Sequence, residues 1–179
     1  MTITQIDSLE HDTDNGQGNS LVKIDSTHFI LAYKGLDNDG YIKTFSIDGS
    51  HNITQIDELE HDTGNGLYSS LVMIDTTHFM LAYQGADVDG TIKTFSIDGS
   101  YNITQTDSLE HDTVNNAENS LVMIDTTHFM LAYAGDGTDG YIKTFSISSP
   151  GWANKIFGIT PAKVNGIAVA NIKKINGIE

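Results

Sequence analysis

This sequence predicts an all-β fold made of one unit used three times. Three observations carry that reading. The stretch His28-Phe29-Ile30-Leu31-Ala32-Tyr33 recurs as His78-Phe79-Met80-Leu81-Ala82-Tyr83 and again as His128-Phe129-Met130-Leu131-Ala132-Tyr133, 50 residues apart each time. The copies agree at 36 of 50 positions between the first and second and at 34 of 50 between the second and third, so a repeat architecture governs the chain. Residues 1–150 show no helical period; short β-rich runs alternate there with breaks rich in Gly, Asn and Asp.

Each element follows from the first copy. Ile3 to Asp12 (ITQIDSLEHD) is β-rich, with polar and acidic residues on both faces. A loop rich in Gly and Asn follows. Ser20 to Asp25 (SLVKID) is a short apolar strand, closed by the tight turn Asp25-Ser26-Thr27. His28 to Tyr33 is apolar on both faces, the mark of a fully buried strand. Gly35 to Gly40 is a second turn, Tyr41 to Asp48 (YIKTFSID) a further strand, and Asp48-Gly49-Ser50 leads into the next copy. We letter the strands A (SLVKID), B (HFILAY), C (YIKTFSID) and D (ITQIDSLEHD), from inner to outer. Asp7, Glu10 and Asp12 on strand D would blunt an exposed sheet edge.

Four-stranded units repeated radially are the β-propeller arrangement. The expected blades are residues 1–50, 51–100 and 101–149, followed by a β-rich tail at 150–179. The chain begins with a D strand, and its repeats end on A, B and C. Residues 1–12 would therefore supply the outer strand of the last blade in a closed ring, which resembles the strand-exchange closure of known propellers. The repeats hold neither the Trp-Asp signature of WD40 nor the Gly-Gly doublet of kelch. Their Asp-Gly pairs at 39–40, 89–90 and 139–140 resemble FG-GAP and related bacterial repeats. Propellers typically have four to eight blades, so three predict either a ring completed by oligomerisation, a homodimer being favoured, or a fragment of a longer array.

The chain has 179 residues, no cysteine and a net charge of −15. No disulfide or thiolate metal site can form. Residues 1–150 hold 23 acids against 5 lysines, while 151–179 carry Lys155, Lys163, Lys173 and Lys174 against Glu179. So acidic a body speaks against nucleic-acid partners, which need clustered Lys and Arg. Met1-Thr2-Ile3-Thr4-Gln5 does not read as a signal peptide, and no run reaches the length of a membrane span. A soluble chain is expected, of unknown compartment.

The copies differ in two places. The D–A loops vary around Asn15 and Gln17, Asn65 and Tyr68, and Asn115 and Glu118; the B–C loops vary around Asn38, Val88 and Thr138. The A–B turns hardly change. In an up-and-down blade the D–A and B–C loops share one face, so these nine residues make the candidate binding surface, since loops on a rigid frame carry function. The alternative is drift in loops without a packing role.

Other candidates have plain structural readings. Glu-His-Asp triplets hold His11, His61 and His111; on a strand the acids point away from the histidine, which gives surface or structural roles. His28, His78 and His128 open the B strands, where a ring of imidazoles competes with a hydrogen bond to the A–B turn. His51 is unmatched in the other copies and reads as surface. Asp37 and Asp39, Asp87 and Asp89, and Asp136 and Asp139 look like pieces of a calcium loop, but no twelfth-position Glu follows, and Asp-Gly is ordinary turn chemistry. Calcium is thus the weaker reading and no cofactor is expected. No nucleophile elbow, phosphate loop or dinucleotide fingerprint occurs.

The tail repeats Lys163-Val164-Asn165-Gly166-Ile167 as Lys174-Ile175-Asn176-Gly177-Ile178. Asn-Gly between β-branched residues signals a hairpin. Such strings resemble segments near the ends of phage and metagenomic structural proteins. The leading functional expectation is a non-catalytic binding or attachment module for a glycan or protein. A structural component docked through its tail is the second. An enzyme with its site in the propeller channel is the third; identical blades speak against it, because catalysis needs distinct residues in distinct roles.

Overall fold

A computed structural model describes residues 1–148 and the strand pair at 163–164 and 167–168. The polypeptide divides into a unit spanning Met1–Phe145 and another spanning Ser146–Glu179.

The first sheet runs in the order β1 (Gln17–Lys23), β2 (His28–Lys34), β3 (Gly40–Ile47) and β4 (Ile53–Asp62). The second repeats it with β5 (Leu67–Met73), β6 (His78–Gln84), β7 (Gly90–Ile97) and β8 (Ile103–Asp112). The third has three strands, β9 (Ala117–Met123), β10 (His128–Ala134) and β11 (Gly140–Ser146). The pairings within the first two sheets, and that of β9 with β10, are antiparallel. The fold is thus all-β, with the A-B-C-D order expected, the first two blades each taking their outer strand from the start of the next copy. In the second unit β12 (Lys163–Val164) pairs antiparallel with β13 (Ile167–Ala168). The repeat at 174–178 lies outside the described residues. No helix among the described residues is long and apolar enough to cross a membrane.

Aspartates shape the turns. Asp25 accepts hydrogen bonds from the Thr27 amide at 2.7 Å and the His28 amide at 3.0 Å, and its carboxylate also meets His28 Nδ1 at 3.0 Å. Asp75 and Asp125 repeat this. The B-strand histidines are therefore tied to their own A–B turns. Asp48 organises the C–D turn through the amides of Ser50 and Asn52.

The inner strands stand side by side: Leu71 N donates to Ser20 Oγ and Leu121 N to Ser70 Oγ, each at 3.0 Å. Between the first two blades lies the main core. Ile30, Ala32 and Ile42 of one blade meet Leu71, Phe79, Leu81, Phe95, Ile97 and Ile103 on the facing side of the next. The sequence marks these strands as buried because both of their faces are apolar, one for each neighbouring blade.

Residues 1–16 form no strand, although Ile3 to Asp12 nearly repeats the sequences of β4 and β8. The described residues offer that segment no C strand to pair with, so its backbone lacks the ladder that β3 gives to β4.

Candidate binding face

The D–A and B–C loops meet as expected. Gly66 N donates to Asn38 O at 2.8 Å, and Asn116 N to Val88 O at 3.0 Å. These bonds tie each D–A loop to the B–C loop of the blade before it. Asn15 Nδ2 and Asn65 Nδ2 donate to Gly35 O and Gly85 O, both at 3.1 Å, tying the same loops to the blade after. The variable loops thus form one cross-bonded belt over successive blades.

Within the belt the nine sequence candidates separate. Asn15 and Asn65 are partly buried and engaged in loop bonds. Asn115 is also partly buried. Gln17, Asn38, Tyr68, Val88, Glu118 and Thr138 are exposed. Five of these exposed residues share a left-handed backbone: Tyr68 (φ 53°) and Glu118 (φ 57°) on bulges in the A strands, and Asn38 (φ 74°), Val88 (φ 65°) and Thr138 (φ 70°) at the B–C tips. Gly18 takes the bulge position in the first blade. A β-branched residue such as Val88 is strained in this region. Asn116, unmarked by the sequence reading, is fully buried: it accepts at Oδ1 from Asn119 Nδ2 at 2.8 Å and at its carbonyl from Gln84.

The B–C aspartates are not gathered into a metal cage. Among the described residues no group of three or more His, Cys, Asp or Glu is placed to hold a metal ion. Asp37 and Asp87 sit in the left-handed turn, and Asp39 lies near Glu60, whose carboxyl is raised by loss of water and by that neighbouring charge.

Of the surface and structural roles expected for the Glu-His-Asp triplets, their histidines and aspartates take the structural one. Tyr33, Tyr83 and Tyr133, buried in the B strands, each donate from the hydroxyl to the aspartate 21 residues earlier: Asp12 at 2.9 Å, Asp62 at 2.7 Å, and Asp112. Lys43, Lys93 and Lys143 lie over the same tyrosine rings and donate to the carbonyls of His11, His61 and His111. The rings of His61 and Tyr83 meet edge to face, their centroids 4.7 Å apart. Room for the imidazoles comes from glycine: a Cβ on Gly40 would lie 2.4 Å from His61, and one on Gly90 2.6 Å from His111. So the last turn of each D strand is a latch into the next blade. A buried tyrosine hydroxyl needs a partner, and the constant offset of 21 residues was the available signal.

Burial holds the His61 imidazole down to about 3, with Lys93 adding to the effect, and His111 down to about 4 for the same reasons. Burial pulls the Asp62 carboxyl upward, but hydrogen bonds from Tyr83 and the Gly64 and Asn65 amides, with the Lys93 charge, leave it below its usual range. Tyr83 is pushed far up by burial and by the Asp62 carboxylate. The latches at Tyr83 and Tyr133 therefore hold neutral tyrosine, neutral histidine and a lysine–carboxylate pair at neutral pH, a set suited to packing two blades together.

No family model matches the chain, and no curated protein matches it. Solved structures do. The periplasmic gluconolactonase PpgL of Pseudomonas aeruginosa superposes with a TM-score of 0.55 at 14% identity, over 70% of this chain and 38% of that one. A variant of the NanB sialidase from Streptococcus pneumoniae gives 0.51 at 11%, over 69% and 20%. A protein of unknown function from Dyadobacter fermentans gives 0.51 at 14%, over 72% and 36%. The fold is propeller-like. The chain spans between a fifth and two fifths of these proteins' lengths, and the likeness shows architecture alone.

Proposed function

We propose that this protein is a non-catalytic binding or attachment module that engages a glycan or protein ligand through the belt of D–A and B–C loops. One observation carries this reading: among the residues that differ between near-identical blades are the exposed left-handed positions 18, 68 and 118 and 38, 88 and 138, and bonds between blades hold the tips at Asn38 and Val88. Strain kept at exposed tips of a rigid frame is characteristic of recognition sites. Several modest sites on one face gain by avidity.

Against catalysis stands the character of the titratable groups. The tyrosine, lysine and histidine that meet in each latch recur in all three copies, and burial holds His61 and His111 neutral. The resemblance of the Asp-Gly turns to bacterial FG-GAP repeats, and of the tail to phage structural proteins, supports attachment over turnover.

The test is a glycan array together with pull-down on a panel of purified surface glycoproteins, run with wild type and with a Tyr68→Ser/Val88→Gly variant. The reading expects wild type to retain a defined subset and the variant to lose most of that signal with its fold intact. Absence of binding, or binding untouched by the variant, would contradict it. Should deletion of 151–179 abolish retention while the loop variant leaves it unchanged, docking through the tail becomes the better account.

A further inference from the structure

We propose that the two open ends of the blade array are the halves of one junction, and that each end takes a second copy of this chain, head to tail, into a ring of six blades.

The completed junction between blades one and two is the template. There Ile30, Ala32 and Ile42, with Val22 and Ile24 beside them, form a trailing face that closes on the leading face of the next blade, Leu71, Phe79, Leu81, Phe95 and Ile97. Fifty residues on from blade two, blade three carries the same trailing face as Met130, Ala132, Ile142, Val122 and Ile124, and no described strand covers it. Ile42 is fully buried and Ile92 is 4% exposed, but Ile142 is 70% exposed. Fifty residues back, blade one carries the leading face. Leu21 is 67% exposed where Leu71 is 9%. Beside it an apolar hollow of about 300 Å³ is lined by Leu9, Leu21, Phe29, Leu31, Phe45 and Ile47. The two surfaces are complementary because their counterparts already pack together inside the chain.

The N-terminal segment supports the same partner. Although it forms no strand, it touches blade one as β4 touches blade two. Ile53 N donates to Asp7 Oδ2 at 2.8 Å, as Ile103 N donates to Asp57 Oδ2 at 2.7 Å. Tyr33 and Lys43 reach Asp12 and the His11 carbonyl, as Tyr83 and Lys93 reach Asp62 and the His61 carbonyl. Residues 1–16 thus occupy the outer-strand place of a preceding blade whose C strand is not among the described residues. The outer edge of β11 meets no strand among the described residues, and it is that C strand. β3 pairs Ile42 with Leu59 and Thr44 with Asp57, and β7 pairs Ile92 with Leu109 and Thr94 with Asp107. In the same register β11 sets Ile142 opposite Leu9 and Thr144 opposite Asp7 of the second copy. Ile3, 99% exposed where Ile103 is 8%, would be covered at the end of that ladder.

The junction also carries the loop belt across copies. Gly16 stands where Gly66 and Asn116 bond the preceding B–C tip, so its amide meets the Thr138 carbonyl of the second copy. On the other face, Tyr101 donates to Asp25 at 2.9 Å and stacks on His28 with centroids 3.6 Å apart. His51 has the same left-handed backbone and would meet Asp125 and His128 of the second copy. Two copies give six blades, within the range in which propellers close; a heterologous contact that closes makes a ring rather than a filament.

Light scattering on a sizing column, at physiological salt so that the −15 charge is screened, tests this. Wild type is expected at twice 19.4 kDa. Ile142→Glu, spoiling the trailing face, and Leu21→Glu, spoiling the leading face, are each expected at the single mass with an unchanged circular dichroism spectrum. An equimolar mixture of the two variants should regain the double mass, because one trailing face and one leading face remain intact between them. Wild type at the single mass at every concentration, a larger multiple of it, or a double mass that neither variant disturbs would overturn the proposal, and a mixture that stays at the single mass would overturn the head-to-tail arrangement. Loop-face binding is scored on the array separately, so each reading fails by its own assay.

Discussion

Phe95 and Phe145 hold the same position in neighbouring blades and make the same contact. Each stacks on the phenylalanine of its B strand, Phe79 or Phe129, with centroids 4.9 Å apart and rings within 11° of parallel. Yet Phe95 is wholly buried and Phe145 only partly. Their lysine neighbours differ likewise. Burial draws Lys93 below its usual value despite Asp62, whereas at Lys143 the opposing pull of Tyr133 and Asp112 outweighs burial and leaves it raised. Sequence does not separate these pairs; the outer strand β8 beside β7, without a described counterpart beside β11, does. Much of what a residue contributes here comes from the next repeat, as in other one-dimensional arrays.

The largest effects should sharpen that comparison. Phe95→Ala is expected to cost about 3–5 kcal/mol, read as a lowered urea midpoint. Phe145→Ala should cost clearly less in a dissociated chain; equal losses would show that each blade is stabilised from within. Next comes the latch. Tyr83→Phe leaves the Asp62 carboxylate short of a donor and is expected to cost about 1–3 kcal/mol. Tyr133→Phe should cost less, since Asp112 is also held by Lys143 Nζ at 3.2 Å.

Acid should weaken the inner junction first. His61 and His111 are held neutral in the folded chain, so on acidification the unfolded chain takes up protons first. Their contribution is full above the ordinary histidine value of about 6.5 and drains as the pH falls from there toward about 3 and 4. The lowered carboxyls of Asp62 and Asp112 add a further loss at more acid pH, as they approach protonation. Melting temperatures of wild type should decline from pH 7 to 5, and those of His61→Leu should decline less; parallel slopes would contradict this assignment. The smallest effect concerns Val88. Val88→Gly relieves a β-branched left-handed residue and is expected to be stabilising by up to about 1 kcal/mol.

Much of this was legible beforehand because strand period and turn chemistry are local. HFILAY reads as buried because both of its faces are apolar, and Asp25-Ser26-Thr27 reads as a turn because aspartate caps the amides that follow. The shared loop face followed from topology alone. The latch did not, since Glu10-His11-Asp12 and its copies look like the polar edge of a sheet until the tyrosines 21 residues later are seen to need acceptors. Nor was the state of residues 1–12. Their composition is that of a strand, but a strand forms only where an edge is offered to it.

In the proposed ring this edge is offered by β11 of a second copy. The chain holds no cysteine, so a Leu9→Cys/Ile142→Cys variant reports on that pairing without interference. Under mild oxidation the account predicts a covalently closed pair of chains, at twice the single mass on a non-reducing gel, with the two introduced thiols joined between chains in its peptide map. Free thiols, or a disulfide within a single chain, would contradict it.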